Sequence, residues 1–160
     1  MSVLDKNIEI IEQNFEFHTE EAINELKKEF GQQFSNSKSV LEQHTDTTTI
    51  HTSKLPDGVV FAENEIDIKK TVEICNKYKC PIIPFGVGSS LEGHVNALYG
   101  GVSIDLNNMN RIINVSAEDS FAVVQPGVTR EQLNTYLRDT GLFFPIDPGA
   151  NASLGGMSAN

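Results

Sequence analysis

The chain has 160 residues, 39% of them hydrophobic, and its 22 acidic and 12 basic residues give a formal net charge of −10. This apolar content is sufficient for a packed core and excludes a disordered, low-complexity protein. The acidic balance excludes a typical nucleic-acid binder, which carries a basic face, and no apolar run approaches the roughly 20 residues of a membrane span.

The N-terminal residues 1–55 predict a helical lead-in. Residues 1–17 contain four acidic side chains, which argues against a signal peptide and against an Arg-rich mitochondrial presequence, so we expect a cytoplasmic location. Residues 19–30 predict an amphipathic helix in which Thr19 is the N-cap and Gly31 ends the helix. Residues 35–54 are polar and predict no clear element, although they contain His44 and His51.

A strand-helix-strand pattern follows. Residues 59–61 predict a strand, Asn64 is placed to cap a helix, and residues 82–85 predict a second strand, which together imply parallel strands with a right-handed crossover. The residues expected to form the buried face of the helix are Ile68, Val72, Cys75 and Tyr78. The two cysteines, Cys75 and Cys80, fit no common zinc spacing and are too few for a disulfide framework, so we expect buried thiols.

The remaining elements predict an antiparallel part. Residues 102–106 alternate between apolar and polar, and residues 112–115 and 121–124 flank a turn, as in a β-hairpin. Thr129 and Gln132 have capping-box spacing at the start of a helix that ends at Gly141. Leu133, Tyr136 and Leu137 are its expected buried face. The predicted fold class is α+β, with a small parallel β-α-β part followed by an antiparallel part.

The most informative stretch is the Gly-rich run PFGVGSSLEGH at residues 84–94. Alternate glycines directly after a buried strand let successive N–H groups point outward, where they bind phosphate oxygens, and the Ser89 and Ser90 hydroxyls can add to them. Leu91 breaks a Rossmann fingerprint, Glu92 breaks a nucleophile elbow, and the absence of lysine after Lys79 excludes a Walker P-loop. A tight turn without a ligand remains the alternative.

Two further segments are rich in Gly, Pro and Ala. Residues 125–128 place a Pro-Gly turn between a strand and the capped helix, and residues 145–157 form a second Gly-rich run. Small residues in such numbers indicate that the backbone closely approaches a flat or extended ligand.

These three segments resemble the FAD-binding domain of the vanillyl-alcohol-oxidase superfamily, the PCMH-type domain. Within that superfamily, the spellings SLEGH and DPGAxASLGGM are most similar to cytochrome-type D-lactate dehydrogenases. The resemblance covers residues 56–160 and implies that FAD lies between the two parts of the domain. Since family members continue well past the GGM run, we expect an N-terminal fragment whose FAD-binding domain is truncated at its C-terminus.

The resemblance also implies which residues bind FAD. The residues expected at the pyrophosphate are Pro84, Gly86, Val87, Gly88, Ser89 and Ser90, with Leu91 and Gly93 continuing the loop. Pro126 and Gly127 would line the adenine side. The residues expected to wrap the ribityl chain and approach the isoalloxazine are Pro148, Gly149, Ala150, Ser153, Gly155 and Gly156. Covalently flavinylated relatives have a histidine at about the position of Ser89, so non-covalent FAD is implied.

Two roles stay open for His94, a polar contact near the flavin or a structural histidine, with the structural role favoured. Glu92 and Asp105 are expected to be loop or helix-cap acceptors rather than acids or bases. The catalytic base and the metal ligands are expected beyond residue 160, and no metal site is expected within this chain.

The implied activity is the oxidation of a D-2-hydroxy acid, D-lactate first, to the 2-oxo acid, with hydride transfer to FAD and electrons passed to cytochrome c or a quinone. Glycolate and D-2-hydroxyglutarate are the alternative substrates. Such an enzyme would lie in the cytoplasm, peripherally at the respiratory membrane, or in mitochondria if the source is eukaryotic. A different class remains open, a catalytically incomplete fragment that binds flavin or nucleotide without turnover.

Overall fold

The computed structural model describes residues 16–46, 49 and 53–159 and shows an α+β fold with two sheets. The helices of this described part are α1 (Thr19–Phe30), α2 (Lys38–Gln43), α3 (Glu65–Lys77), α4 (Arg130–Leu137) and α5 (Leu154–Ala159), with 3-10 turns at Gly31–Gln33 and Arg138–Thr140. Its strands are β1 (Phe34–Ser35), β2 (Gly58–Phe61), β3 (Ile82–Phe85), β4 (Val102–Asp105), β5 (Ile112–Ser116) and β6 (Phe121–Val124). The predicted α+β class is confirmed.

The larger sheet has the strand order β1-β2-β4-β3. Strands β2 and β3 are the predicted parallel pair, but both pair with β4, which lies between them. All four residues of β4 are buried, including Ser103 and Asp105. The assignment of residues 102–106 to the antiparallel part is therefore wrong, because β4 runs parallel to both of its neighbours. The polar residues of this central strand are buried as well as the apolar ones.

Helices α1 and α3 pack on this sheet and form its main core. The buried members of this core are Ala22, Leu26, Phe30, Phe34, Val60, Cys75, Cys80 and Val102. Both cysteines are free and buried, as predicted. Strand β1, from the predicted lead-in, pairs with β2, so residues on both sides of position 55 share one core, and the boundary between lead-in and domain stays a prediction.

Two details of these helices differ from expectation. Helix α1 begins at Thr19 and its N-cap is His18, which makes no side-chain cap bond, so the assignment of Thr19 as the cap is wrong. Val72 of α3 is 43% exposed, so its predicted burial is wrong. Thr71 is buried instead, and its hydroxyl is satisfied by donating to the carbonyl of Asp67. The predicted cap at Asn64 is confirmed, since its side chain accepts from the N–H groups of residues 66 and 67.

The second part contains the predicted hairpin, β5 paired antiparallel with β6, and helix α4 against it. Val128, Leu133 and Leu137 are buried between them. Tyr136 is 58% exposed, so its predicted burial is wrong: the core-facing positions of α4 are four residues apart, and Tyr136 lies off that stripe. No helix in the described ranges has the length and apolar character to cross a membrane.

The capping box of α4 is half formed. Thr129 Oγ1 accepts the N–H of Gln132 at 3.2 Å. The Gln132 side chain does not return to Thr129; it donates to the carbonyl of Asn110 at 2.7 Å, and so ties α4 to the loop before β5.

Candidate functional site

The three Gly-rich segments of the sequence contact one another at the junction of the two parts. We call them the phosphate loop (residues 86–90), the Pro-Gly turn (residues 125–128) and the C-terminal segment (residues 148–156). The N–H of Gly155 donates to Pro126 O at 2.9 Å, and that of Leu154 donates to Val128 O at 2.8 Å. A Cβ on Gly86 would lie 2.5 Å from Ser153 Oγ. The segments therefore form one continuous structure rather than three unrelated turns.

The phosphate loop presents backbone donors that the protein does not use. The backbone N–H groups of residues 87–90 donate no hydrogen bond to any acceptor in the described part of the chain. Gly88 has a φ of +68°, which L side chains rarely adopt, and its missing Cβ would lie 2.8 Å from the ring of Phe85. A run of unpaired N–H groups in a turn directly after a buried strand fits the pyrophosphate of FAD.

The residues that follow the phosphate loop are largely exposed. Leu91 is 74% exposed, and Gly93 has a φ of +78°. The hydroxyl of Ser90 accepts the N–H of Glu92 at 3.3 Å and lies 3.4 Å from Nδ1 of His94. His94 is exposed, so its ring is available to a ligand on this side, and the choice between its two predicted roles stays open. Pro84, at the end of β3, is also exposed.

The Pro-Gly turn shows why glycine is needed there. A Cβ on Gly127 would lie 2.4 Å from the carbonyl oxygen of Leu106, 2.9 Å from that of Met109 and 3.0 Å from that of Asn107. A Cβ on Gly155 would lie 2.6 Å from Cβ of Pro126. These two glycines therefore allow the protein's own backbone segments to approach each other, and their contact with FAD stays a prediction.

The C-terminal segment is anchored to the start of α4. The N–H of Arg130 donates to Ala152 O at 3.0 Å, and the side chain of Asn151 accepts the N–H of Glu131 at 3.0 Å. Pro148, Gly149 and Gly156 are exposed, Ala150 and Gly155 are half-buried, and Ser153 is buried. Residues 154–159, at the end of the second Gly-rich run, form α5. Exposed and buried members of the predicted FAD-binding set thus lie side by side here.

A buried pair that the sequence did not predict lies directly under the phosphate loop. Nε2 of His44 lies 2.9 Å from Oδ2 of Asp105, and Nδ1 lies 2.8 Å from the carbonyl oxygen of Val40. Both side chains are buried. Burial lowers the pKa of His44, but the hydrogen bonds to Asp105 and Val40 outweigh it, so the pKa of His44 is raised above its usual value. The sequence separation of 61 positions between the partners explains why no local pattern revealed the pair.

Asp105 also accepts the N–H of Asn107 at 2.8 Å, which confirms its expected role as a loop acceptor. Within the described ranges, no group of three or more His, Cys, Asp or Glu side chains is arranged to hold a metal ion.

Comparison with known proteins agrees with this geometry. Residues 56–160 match a protein family described as FAD binding domain. The chain belongs to this family. It is similar to the probable mitochondrial D-lactate dehydrogenase of Danio rerio, with 49% identity over 78% of this chain and 25% of that protein. It is 48% identical to the mitochondrial D-lactate dehydrogenase [cytochrome] of Arabidopsis thaliana, over 66% of this chain and 18% of that protein.

The solved structures support the same fold. The fold matches a structure of alkyldihydroxyacetonephosphate synthase with a TM-score of 0.74 and 26% identity, over 86% of this chain and 28% of that one. Relatives named glycolate oxidase subunit and D-2-hydroxyglutarate dehydrogenase are more distant, at 33% identity in Bacillus subtilis and 30% in Stutzerimonas stutzeri. The chain spans about a quarter of the length of the curated relatives it matches.

Proposed function

We propose that this chain is the FAD-binding part of a flavoprotein that oxidises a D-2-hydroxy acid, D-lactate first among them, to the 2-oxo acid. The observation that carries the proposal is the run of unpaired N–H groups at residues 87–90, held at the junction of three Gly-rich segments in the region that matches the FAD binding domain family. The substrate class is supported by the relatives at 41–49% identity, which are named D-lactate dehydrogenase.

In this proposal, the phosphate loop holds the FAD pyrophosphate through its backbone donors, so an acidic protein can bind an anion without a basic side chain at that point. The exposed residues Pro148 and Gly149 lie along the ribityl chain, and Pro126 lies on the adenine side. Bound FAD supplies the acceptor for the hydride that leaves C2 of the hydroxy acid. The residues of this chain bind and orient the cofactor.

FAD is held non-covalently in this proposal. The phosphate loop contains no histidine, cysteine or tyrosine that could be attached to the isoalloxazine. His94 lies outside the loop, and its Nδ1 is 3.4 Å from the Ser90 hydroxyl. Heating or acid precipitation of the protein with FAD should therefore release all flavin into the supernatant, whereas flavin that stays with the pellet would contradict non-covalent binding.

Four further parts of the proposal concern the whole protein. Cytochrome c or a quinone is the proposed electron acceptor, and glycolate and D-2-hydroxyglutarate are the alternative substrates. The proposed site of action is the cytoplasm or the respiratory membrane surface, or the mitochondrion in a eukaryote. The names of the relatives support the mitochondrion. The catalytic base and any metal ligands are proposed to lie in protein beyond residue 160.

A second candidate function is flavin or nucleotide binding without turnover. It is favoured by one observation, that no group of three or more His, Cys, Asp or Glu side chains among the described residues is arranged to hold a metal ion. Addition of D-lactate to the FAD-loaded whole protein, which includes the sequence that follows residue 160, decides between the two. Bleaching of the flavin bands supports the enzyme, and bands that persist with every 2-hydroxy acid support the binding module.

The loop assignment is tested by comparing Gly88→Ala with Gly141→Ala. Both glycines have a left-handed φ, +68° and +76°, but Gly141 has no atom within 4 Å of its missing Cβ and lies after α4, away from the loop. We expect Gly88→Ala to weaken FAD binding at least about tenfold, measured by quenching of flavin fluorescence, since one lost charge-assisted hydrogen bond is worth about 1.5–3 kcal/mol. Gly141→Ala should bind as the wild type does. Equal affinities for all three proteins would contradict the assignment.

A further inference from the structure

Two chains of contacts, a polar path and an aromatic path, lead from the buried pair His44 and Asp105 to the phosphate loop. The polar path runs from Asp105 Oδ1, which accepts the N–H of Asn107 at 2.8 Å, to Asn107 Nδ2, which donates to the carbonyl oxygen of Gly86 at 2.7 Å. It therefore ends on the peptide unit whose nitrogen belongs to Val87, the first of the unpaired donors.

The second path is aromatic. The ring of His44 contacts the ring of Phe85, with centroids 4.4 Å apart, and its other side meets Phe61 edge-on at 5.7 Å. The Phe85 ring in turn occupies the space beside Gly88, 2.8 Å from where a Cβ would be. The two paths thus reach the two glycines between which the loop turns, Gly86 and Gly88.

When Asp105 is ionised, the two hydrogen bonds of the His44 ring are compatible with only one charge state of that ring. A backbone carbonyl only accepts, so Nδ1 must donate to Val40 O, and an ionised carboxylate only accepts, so Nε2 must donate to Asp105. The ring is then an imidazolium. Among the described residues, Asp105 is the charged side chain that pairs with the His44 ring. Strands β2 and β3 place the uncharged rings of Phe61 and Phe85 against it. Because both ring N–H groups are hydrogen-bonded, the buried ring is held in a single orientation and can hold its neighbours in place.

We propose that His44 is a positioning residue for the FAD pyrophosphate: through Asp105–Asn107–Gly86 and through Phe85, it fixes the orientation of the N–H groups at residues 87–90. His44 does not touch the cofactor in this arrangement. The inference rests on the proposed function, since it assumes that these N–H groups bind FAD.

The test measures FAD affinity and loop conformation in the same set of variants of the full 160-residue chain. His44→Leu removes both ring protons, and Asn107→Ala removes the link to Gly86. Leu26→Ala is the matched control. Leu26 is fully buried in the main core, and its side chain belongs to neither the polar nor the aromatic path. Unfolding by urea reports the stability of each variant, so that the FAD affinity can be compared for folded protein.

We expect His44→Leu and Asn107→Ala each to raise the Kd for FAD at least about tenfold, and the double variant to be little weaker than either single one, because the two residues act along one path. Leu26→Ala should lower stability and leave the Kd unchanged. His44→Gln, which keeps a donor toward Asp105, should recover part of the affinity. Amide resonances of residues 87–90, recorded without FAD, should shift in His44→Leu and not in Leu26→Ala.

The outcomes separate the two claims. Wild-type protein that binds FAD, with His44→Leu binding equally well and with unshifted loop amides, overturns the positioning role and leaves the proposed function standing. Wild-type protein that does not bind FAD overturns the proposed function, and the positioning role with it. Equal losses of affinity in His44→Leu and Leu26→Ala would reduce His44 to a residue of general stability and would also overturn the inference.

Discussion

The tightest backbone contact in the candidate site is at Gly127, and its replacement by alanine gives a sharp test of the packing. The new Cβ would lie 2.4 Å from Leu106 O, about 1 Å closer than ordinary van der Waals contact, with two more carbonyl oxygens at 2.9 and 3.0 Å. None of the three is the end of a flexible side chain. The turn must therefore move as a whole, and the hydrogen bond from Gly127 N to Met109 O, 2.8 Å long, is strained or lost.

The magnitude follows from these contacts. Overpacking costs about 1–3 kcal/mol, and the backbone hydrogen bond adds about 1 kcal/mol, so Gly127→Ala should lower the free energy of unfolding by about 2–4 kcal/mol. With a mid-range urea dependence of about 2 kcal/mol per molar, the midpoint should fall by about 1–2 M at unchanged slope, measured by circular dichroism.

The control for this measurement is Gly156→Ala. The nearest atom to its Cβ would be Ser153 Oγ at 3.2 Å, and alanine favours helix α5, so its stability should stay within about 1 kcal/mol of the wild type. If Gly127→Ala instead changes stability by less than about 0.5 kcal/mol, the Pro-Gly turn is not packed on the loop after β4, and the reasoning fails.

Three further predictions concern the fold that carries the site. Asn64→Ala should lower the free energy of unfolding by about 1 kcal/mol, since its side chain caps two N–H groups of α3, while Asn64→Ser should keep most of it; thermal unfolding checks both. Asn134→Ala breaks a reciprocal pair with the backbone of Phe144 and should cost about 1–2 kcal/mol in urea unfolding, more than Asn134→Asp, which keeps the acceptor. Because the pKa of His44 is raised in the folded state, the stabilisation from its pair with Asp105 should be fully present below about pH 6.5 and lost as pH rises through the folded-state pKa. Urea unfolding over that range should show this loss in the wild type and not in His44→Leu.

Local chemistry explains what the sequence could predict. The cap at Asn64, the hairpin of β5 and β6 and the buried cysteines depend on neighbouring residues, and the structure confirms each of them. The Gly-rich loop after β3 was predictable for the same reason, because alternate glycines directly after a strand are a local pattern typical of a turn with positive φ. Helix α4 ends at Leu137, and Gly141 instead ends the 3-10 turn that follows it.

Other features depend on residues far apart in the chain. The insertion of β4 between β2 and β3 gives the polar positions of β4 a buried environment, and alternation alone cannot show this. His44 meets Asp105 only after the sheet has formed. The exposure of Val72 and Tyr136 has a similar origin, because the packing partner of a helix decides which of its sides faces the core.

The sequence indicated, from the number of small residues, that the three Gly-rich segments approach a ligand, but it did not indicate the reason for each glycine. Gly127 and Gly155 are needed where backbone meets backbone, whereas Gly88 is needed for its positive φ. Sequence patterns do not distinguish these causes, since the same residue serves both.

The measurement that most directly tests the central claim is an equilibrium titration of the purified chain with FAD and, in parallel, with riboflavin, which has the same ring system and no pyrophosphate. If the N–H groups of residues 87–90 bind the pyrophosphate, FAD should bind in equal stoichiometry with the protein and at least about 100-fold more tightly than riboflavin, as expected when two or more charge-assisted hydrogen bonds are lost. Equal binding of the two, or no binding of FAD, would contradict the account.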